Sequence, residues 1–142
     1  MKNNFKIKST NQNSKRSLIA AILLFIFMLS LCSVAYASSY STTVKFKNPY
    51  AGSMRSFNGN NIKYSATMSS SAKNDKGTYT IYLQKKSGIW AFDVGTPKKL
   101  ARVGYGTAKW PDVGSGDYRL YFDKSSDGVT LSSNNVTIAN YW

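Results

Sequence analysis

The chain has 142 residues, of which 19 are Lys or Arg and six are Asp, with no Glu, no His and one Cys. Its formal net charge is +13. Without His, and with a single Cys, the chain cannot form a Ser-His-Asp or Cys-His catalytic arrangement or a usual zinc site.

The first 37 residues follow the pattern of a secretory signal peptide. A basic stretch at 1–17 precedes an apolar block at 18–31 and the small-residue motif Val34-Ala35-Tyr36-Ala37. This order is the one that export requires, and the apolar block is shorter than the roughly 20 residues of a membrane-spanning helix. We predict cleavage between Ala37 and Ser38, giving a secreted product that is extracellular or associated with the cell wall. An uncleaved N-terminal anchor is the alternative.

The only cysteine, Cys32, lies inside this leader, so cleavage removes it. Leu31 precedes it, where lipoprotein processing would need a small residue. The remaining segment, 38–142, has 105 residues with 14 basic side chains and six Asp, a net charge of +8. Its length indicates a single domain that is held together by packing without a disulfide.

Apolar residues then alternate with polar ones, which is typical of half-buried strands. The runs begin at Val44, Ile62, Tyr79, Ile89, Leu100, Tyr118, Val129 and Val136. Turn-forming Gly, Asn and Asp separate them, as in Asn74-Asp75-Lys76-Gly77 and Gly95-Thr96-Pro97. We predict an all-β domain, a small antiparallel β-sandwich of about seven to eight short strands. An immunoglobulin-like or jelly-roll arrangement fits this spacing, and a small β-barrel is the alternative.

The aromatic residues divide by their position in these runs. Tyr82 and Tyr121 fall on the strand faces opposite the apolar set, which predicts that both are exposed and available for stacking on a ligand. Trp90 lies in the most apolar run and Trp110 at a strand end, and we expect both in the core. An aromatic chain end, here Trp142, is expected to hold the last strand against the core.

Basic residues are the second group of candidate ligand contacts, beside the two tyrosines. The excess charge favours association with an anionic wall polymer, a polysaccharide or a membrane surface, with no nucleic acid expected in that compartment. The alternatives are that the charge only keeps the protein in solution, or that lysines protect sheet edges. The candidate ligand contacts are Tyr82, Tyr121, Lys45, Lys47, Lys63, Lys85, Lys86 and Arg119.

One segment resembles the first half of a calcium loop. Asp123, Ser125 and Asp127 stand at relative positions 1, 3 and 5, and Gly128 follows. Position 12 is Asn134 instead of the bidentate Glu. We therefore favour a hairpin turn here and predict no metal and no cofactor.

Two classes of function remain. The six Asp lie in or beside predicted turns and strand ends, where Asp commonly binds nearby backbone groups, so we expect no enzymatic activity. We predict a secreted, non-catalytic protein that binds an anionic cell-surface polymer or glycan. The alternative is a small secreted effector, such as a bacteriocin, a toxin or an inhibitor of another secreted protein. Gly88-Ile89-Trp90-Ala91 and Asn140-Tyr141-Trp142 resemble short segments of lactococcin-type β-sandwich bacteriocins, and this resemblance assigns no site residue.

Overall fold

The computed structural model describes residues 38–141. This part of the chain is built from nine strands, and it contains no helix that could span a membrane. The strands are β1 Ser39–Phe46, β2 Tyr50–Ala51, β3 Arg55–Phe57, β4 Ile62–Ser70, β5 Thr78–Ser87, β6 Trp90–Ala101, β7 Gly104–Trp110, β8 Gly116–Asp123 and β9 Leu131–Asn140. The predictions for the leader, for Cys32, for cleavage after Ala37 and for Trp142 fall outside the described residues.

The strands form two antiparallel sheets. Sheet A has the order β1-β9-β4-β7, and sheet B has the order β2-β8-β5-β6, with β3 pairing along another part of β8. The first and last strands pair with each other, from Ser39↔Ala139 to Phe46↔Leu131. Both sheets keep their edge strands and do not close on one another. The prediction of a small β-sandwich is therefore confirmed.

The core lies between the sheets and follows the alternation in the sequence. Ile62, Tyr64, Ala66 and Met68 of β4 are buried, while their polar neighbours face outward. On the facing sheet, Tyr79, Ile81 and Leu83 of β5 are buried in the same way. Strands pair in register where one face is buried, because a one-residue slip would expose the whole apolar set.

Two tyrosine hydroxyls meet inside this core. The Oη atoms of Tyr64 and Tyr79 are 3.0 Å apart and share one hydrogen bond. Burial raises the pKa of both phenols above the usual value, and at Tyr64 the neighbouring Tyr79 raises it further. The pair bridges sheet A and sheet B through one buried polar contact.

Strand β6 corrects two sequence predictions. The strand β6 contains Trp90 to Val94 of the run at Ile89 and the start of the run at Leu100, and Gly95-Thr96-Pro97 is an irregularity within it and not a turn. Ile81 pairs with Lys98 and Leu83 with Val94, so β6 has two extra residues at this point. The irregularity places the Thr96 carbonyl 3.0 Å from Nε1 of Trp110, so the buried indole N–H donates a hydrogen bond to this carbonyl. Gly95 has φ 66°, and a Cβ there would lie 2.9 Å from the Trp110 ring.

Strand β9 likewise joins two predicted runs: it begins at Leu131, the last residue of the run at Val129, and includes the run at Val136. Between them, β9 advances five residues from Ser132 to Thr137, while its neighbour β4 advances four from Ser69 to Ser65. The extra residue is a β-bulge at Asn134 and Asn135. Strands β2, β3 and β7 were not predicted, because β2 and β3 are very short and β7 presents Gly104, Gly106 and Ala108 where a large apolar residue is expected.

Candidate binding surface

The outer face of sheet A carries basic and hydroxyl groups but no carboxylate. Its four strands, β1, β4, β7 and β9, contain no Asp or Glu. Three lysines lie on this face, Lys45 at one end and the directly paired Lys63 and Lys109 at the other. The rows between them consist mainly of Ser and Thr, such as Ser41–Thr137–Ser65–Thr107 across the four strands. This face is therefore positively charged and rich in hydrogen-bonding groups.

The β9 bulge forms a shallow polar depression on the two inner strands of this sheet, near the end that carries Lys45. Asn135 Oδ1 accepts a hydrogen bond from the backbone N–H of Thr67 at 3.0 Å, where a strand partner would normally stand. A bulge bends its strand and redirects side chains, and bulges are frequent next to functional sites. The depression is lined by Thr67, Ser69, Ser132, Ser133, Asn134 and Asn135.

An aromatic residue and a lysine stand on opposite sides of this depression. Tyr105 of β7 is paired with Thr67 and is 70% exposed. Lys45 of β1 is paired with Ser132 and is also exposed. Directly paired residues on one face have Cβ atoms about 4.5–5.5 Å apart, so both side chains adjoin the depression. We call Lys45, Tyr105 and the six lining residues the sheet A site.

The predicted aromatic pair lies on the other side of the molecule, on the outer face of sheet B. Tyr82 and Tyr121 are paired across β5 and β8, with ring centroids 5.9 Å apart in an edge-to-face arrangement. Both lie on the face opposite the core, as the alternation predicted, but each is half-buried and not exposed as expected. The two rings cover each other in part, so they offer less free surface than two isolated tyrosines would.

Charges on this second face are mixed. Arg119 Nε donates to Gln84 Oε1 at 2.8 Å, and Gln84 Nε2 donates to Asp93 Oδ1 at 2.8 Å. This row extends across β8, β5 and β6, and it pairs a cation with an anion through one amide. The face of sheet B therefore lacks the uniform positive charge of sheet A.

The structure distributes the predicted contact residues over several surfaces. Lys45 and Lys63 lie on sheet A, while Arg119 and Lys86 belong to strands of sheet B. Lys47 lies beyond the end of β1, so it does not share a strand face with Lys45. Lys85 Nζ lies 3.3 Å from the Val113 carbonyl and 5.3 Å from the centre of the Tyr118 ring. The candidate set thus does not form one site.

The segment that resembles a calcium loop is part of an ion-pair cluster. One Asp127 oxygen lies 2.5 Å from Arg102 Nη1, and the other lies 2.7 Å from Lys124 Nζ. Arg102 and Lys124 are both buried, and Asp75 joins at 3.6 Å from Arg102. Hydrogen bonds from Lys124 and then Arg102 hold the pKa of the Asp127 carboxyl well below its usual range. Two buried cations beside Asp127 oppose a bound Ca²⁺, because the like charges repel each other.

Asp123 and Ser125 also depart from the calcium arrangement. Asp123 ends β8 and pairs with Thr80 of β5, and the Ser125 hydroxyl accepts a hydrogen bond from Arg102 at 2.8 Å. Within the described part of the chain, no group of three or more Asp, Glu, His or Cys side chains could hold a metal ion. The cluster instead ties the loops after β4, β6 and β8 together at one end of the sandwich.

Trp90 is not in the core, which corrects the sequence prediction, whereas Trp110 is fully buried as expected. Trp90 is 66% exposed at the tip of the β5–β6 hairpin. Beyond Lys85, β5 pairs with β6 but no longer with β8, so the hairpin extends past its neighbour in sheet B. The apolar run that indicated burial thus lies where the hairpin projects past its neighbours.

Comparisons with protein-family models, with curated proteins and with solved structures found no match to this chain. Sequence reasoning missed Tyr105 and the Asn134–Asn135 bulge. The available signals were the alternation of Tyr105, Thr107 and Lys109 with small residues, and the polar run from Ser132 to Asn135 that interrupts an apolar pattern.

Proposed function

We propose that this domain is a secreted, non-catalytic module that binds an anionic cell-surface polymer or glycan on the outer face of sheet A. The observation that carries the proposal is a depression lined by hydroxyl and amide groups, with Tyr105 on one side and Lys45 on the other. The absence of carboxylates from the four strands of this sheet supports an anionic ligand.

Each group in the sheet A site matches one feature of such a ligand. The exposed Tyr105 ring offers a flat apolar surface with a polar tip, which suits a sugar ring. Side-chain amides such as that of Asn134 both donate and accept hydrogen bonds, as sugar hydroxyls do. Lys45, Lys63 and Lys109 supply attraction to phosphate or carboxylate groups along a chain.

The dimensions of the face also suit a polymer. Four strands about 4.8 Å apart make a surface about 14 Å across. Along the strands, Lys45 and Lys63 lie near opposite ends of this surface. An extended polymer that runs along the strands over the depression would meet lysine at both ends of the face. We therefore expect binding to a repeating anionic chain in preference to its monomer.

The test is sedimentation of the purified protein with Gram-positive cell walls, with and without their teichoic acids, over a salt series. The wild-type protein should sediment with intact walls and be released by salt, because exposed charge contacts are screened. Tyr105→Ala combined with Lys45→Gln should weaken binding at least about tenfold, equivalent to about 1.4 kcal/mol.

Tyr82→Ala is the matched control, since it removes a tyrosine of similar strand position from the other face. It should bind walls as the wild type does. If Tyr82→Ala abolishes binding while the Tyr105 and Lys45 variant retains it, the ligand lies on sheet B and the sheet A site is wrong. If the wild type stays in solution at low salt, the binding function is wrong, and the effector alternative becomes the next hypothesis to test.

A further inference from the structure

The tip of the β5–β6 hairpin exposes three large apolar side chains together. Ile89 is 90% exposed, Trp90 66% and Phe92 58%. An apolar group of this kind on the surface of a soluble domain marks an interaction site, because water contact with it is unfavourable. None of these residues belongs to the sheet A site.

The geometry of the tip keeps these side chains projecting. Ser87 pairs with Trp90, which leaves Gly88 and Ile89 as a two-residue turn with φ 62° at Gly88. A glycine with positive φ at the first central position is typical of a type II′ hairpin turn, which keeps the two strands paired to their ends. Trp90 and Phe92 alternate with Ala91, so they share one face of β6.

Basic side chains lie directly behind the apolar tip. Lys85 is paired with Phe92 and Lys86 with Ala91. The nearest hairpin carboxylate, Asp93, accepts a hydrogen bond from Gln84, and the Asp117 carboxylate accepts one from the Ser56 hydroxyl. Both carboxylates thus accept hydrogen bonds from neutral side chains. The domain from residue 38 onward carries a net charge of +8.

We infer that this hairpin tip inserts into the interfacial region of an anionic lipid bilayer. Trp prefers the interface because its ring is apolar and its N–H is polar. Ile89 and Phe92 would enter the acyl boundary beside it, and the exposed Lys86 would lie at the level of the anionic headgroups. Charge complementarity favours a lipid surface over a second copy of this basic chain, which would bring like charges together.

The inference is tested by placing a reporter at the tip of the full chain. Ser87→Cys, in a Cys32→Ser background, is labelled with an environment-sensitive fluorophore such as NBD. The labelled protein is mixed with vesicles of phosphatidylcholine that contain 30% phosphatidylglycerol. We expect a blue shift and increased emission, and a smaller change with pure phosphatidylcholine vesicles.

Lys73→Cys provides the matched control, because it lies in the loop that precedes β5 and thus at the other end of that strand. A label there should not respond, even if another part of the chain holds the protein on the vesicle. Trp90→Ala with Phe92→Ala in the Ser87→Cys background should reduce the response at least about fivefold, because the apolar contacts are lost.

Three results would overturn the inference. One is an unchanged label at position 87 with anionic vesicles, and another is an equal response at position 73. The third is a concentration-dependent shift without vesicles, which would assign the tip to self-association. Wall sedimentation of the Trp90 and Phe92 variant should remain as in the wild type, so the outcome is independent of the sheet A site.

Discussion

At the scale of single residues, side chains of one type have different roles according to what faces them. Trp110 is covered by sheet B, and its indole N–H donates to Thr96, whereas Trp90 lies in the last residue pair of the β5–β6 hairpin and remains exposed. Tyr64 and Tyr79 show the same dependence on the surroundings for a polar group. Each hydroxyl is buried between apolar groups, and each is the other's hydrogen-bond partner.

The tyrosine pair gives a residue-scale prediction. Tyr64→Phe or Tyr79→Phe alone should lower the free energy of unfolding by about 1–2 kcal/mol, because the remaining hydroxyl is left buried without its partner. The double Phe variant should lose less than the sum of the two single changes, since neither polar group then remains. Urea denaturation of all four proteins measures this coupling. Strictly additive losses would contradict it.

At the scale of elements, the β9 bulge links the fold to the sheet A site. The extra residue affects both neighbours of β9. Against β1, three residue steps from Ser133 to Val136 face two from Val44 to Thr42. Against β4, five steps from Ser132 to Thr137 face four from Ser69 to Ser65. A single additional residue accounts for both mismatches, and its polar neighbours line the depression.

Deleting Asn134 should therefore restore one-to-one pairing between β9 and its two neighbours. The remaining side chains of β9 should stay on their present faces. We expect a β-rich circular dichroism spectrum like that of the wild type and a change in Tm below about 8 °C. Wall binding should fall at least about tenfold, a loss of about 1.4 kcal/mol, since the depression is lost.

Deleting Thr137 instead serves as the control for this element. It lies where β9 pairs regularly, so its loss would turn the residues on one side of the deletion to the opposite face, and the protein should not fold. Equal thermal stability of the two deletion variants would mean that the bulge does not set the register of β9.

At the scale of the whole molecule, the titration of a few groups determines how stability depends on pH. Residues 38–142 contain no His, Glu or Cys. Hydrogen bonds lower the pKa of two carboxyls in the folded state, with Lys124 the main donor to Asp127 and Ser70 the main donor to Asp75. At the other extreme, burial raises the pKa of the Tyr64 and Tyr79 phenols.

The expected stability profile follows from the signs of these shifts. A carboxyl with a lowered pKa stabilises the fold above its unfolded pKa of about 3.9, and this contribution is lost as the pH falls further. A phenol with a raised pKa stabilises the fold below about pH 10, and this contribution is lost as the pH rises. The Tm should therefore be nearly constant from about pH 5 to 9 and fall on both sides.

Thermal melts between pH 2 and pH 11 measure this profile. Asp127→Asn should lower the Tm at neutral pH and flatten the acid limb, because the titrating group is removed. Asp112→Asn is the matched control, since the Asp112 side chain forms no ion pair with any residue from 38 to 141. An acid limb of the same slope in Asp127→Asn and the wild type would refute the role of the cluster.

Local sequence patterns were sufficient to predict much of this fold. Alternation at Ile62–Met68 and Tyr79–Leu83 predicted strands, their buried faces and a sandwich, because a residue's exposure in a strand depends mainly on its parity. The same parity placed Tyr82 and Tyr121 on the face away from the core. The composition alone, with its excess of Lys and its lack of His and Glu, gave the sign of the net charge and excluded the usual catalytic arrangements.

The tertiary structure decided what depends on neighbours distant in sequence. Parity indicates which side of a strand a residue faces but not whether another sheet covers that side, so Trp90 was expected to be buried and is exposed. A polar run indicates that an apolar strand pattern is interrupted, but not whether the interruption is a turn or a bulge. For this reason the sequence predicted two strands where the structure has the single strand β9. Strand order then separated Tyr82 from Lys45 and brought Lys45, Tyr105 and the Asn134–Asn135 bulge onto one face, because these residues meet only through pairing between strands.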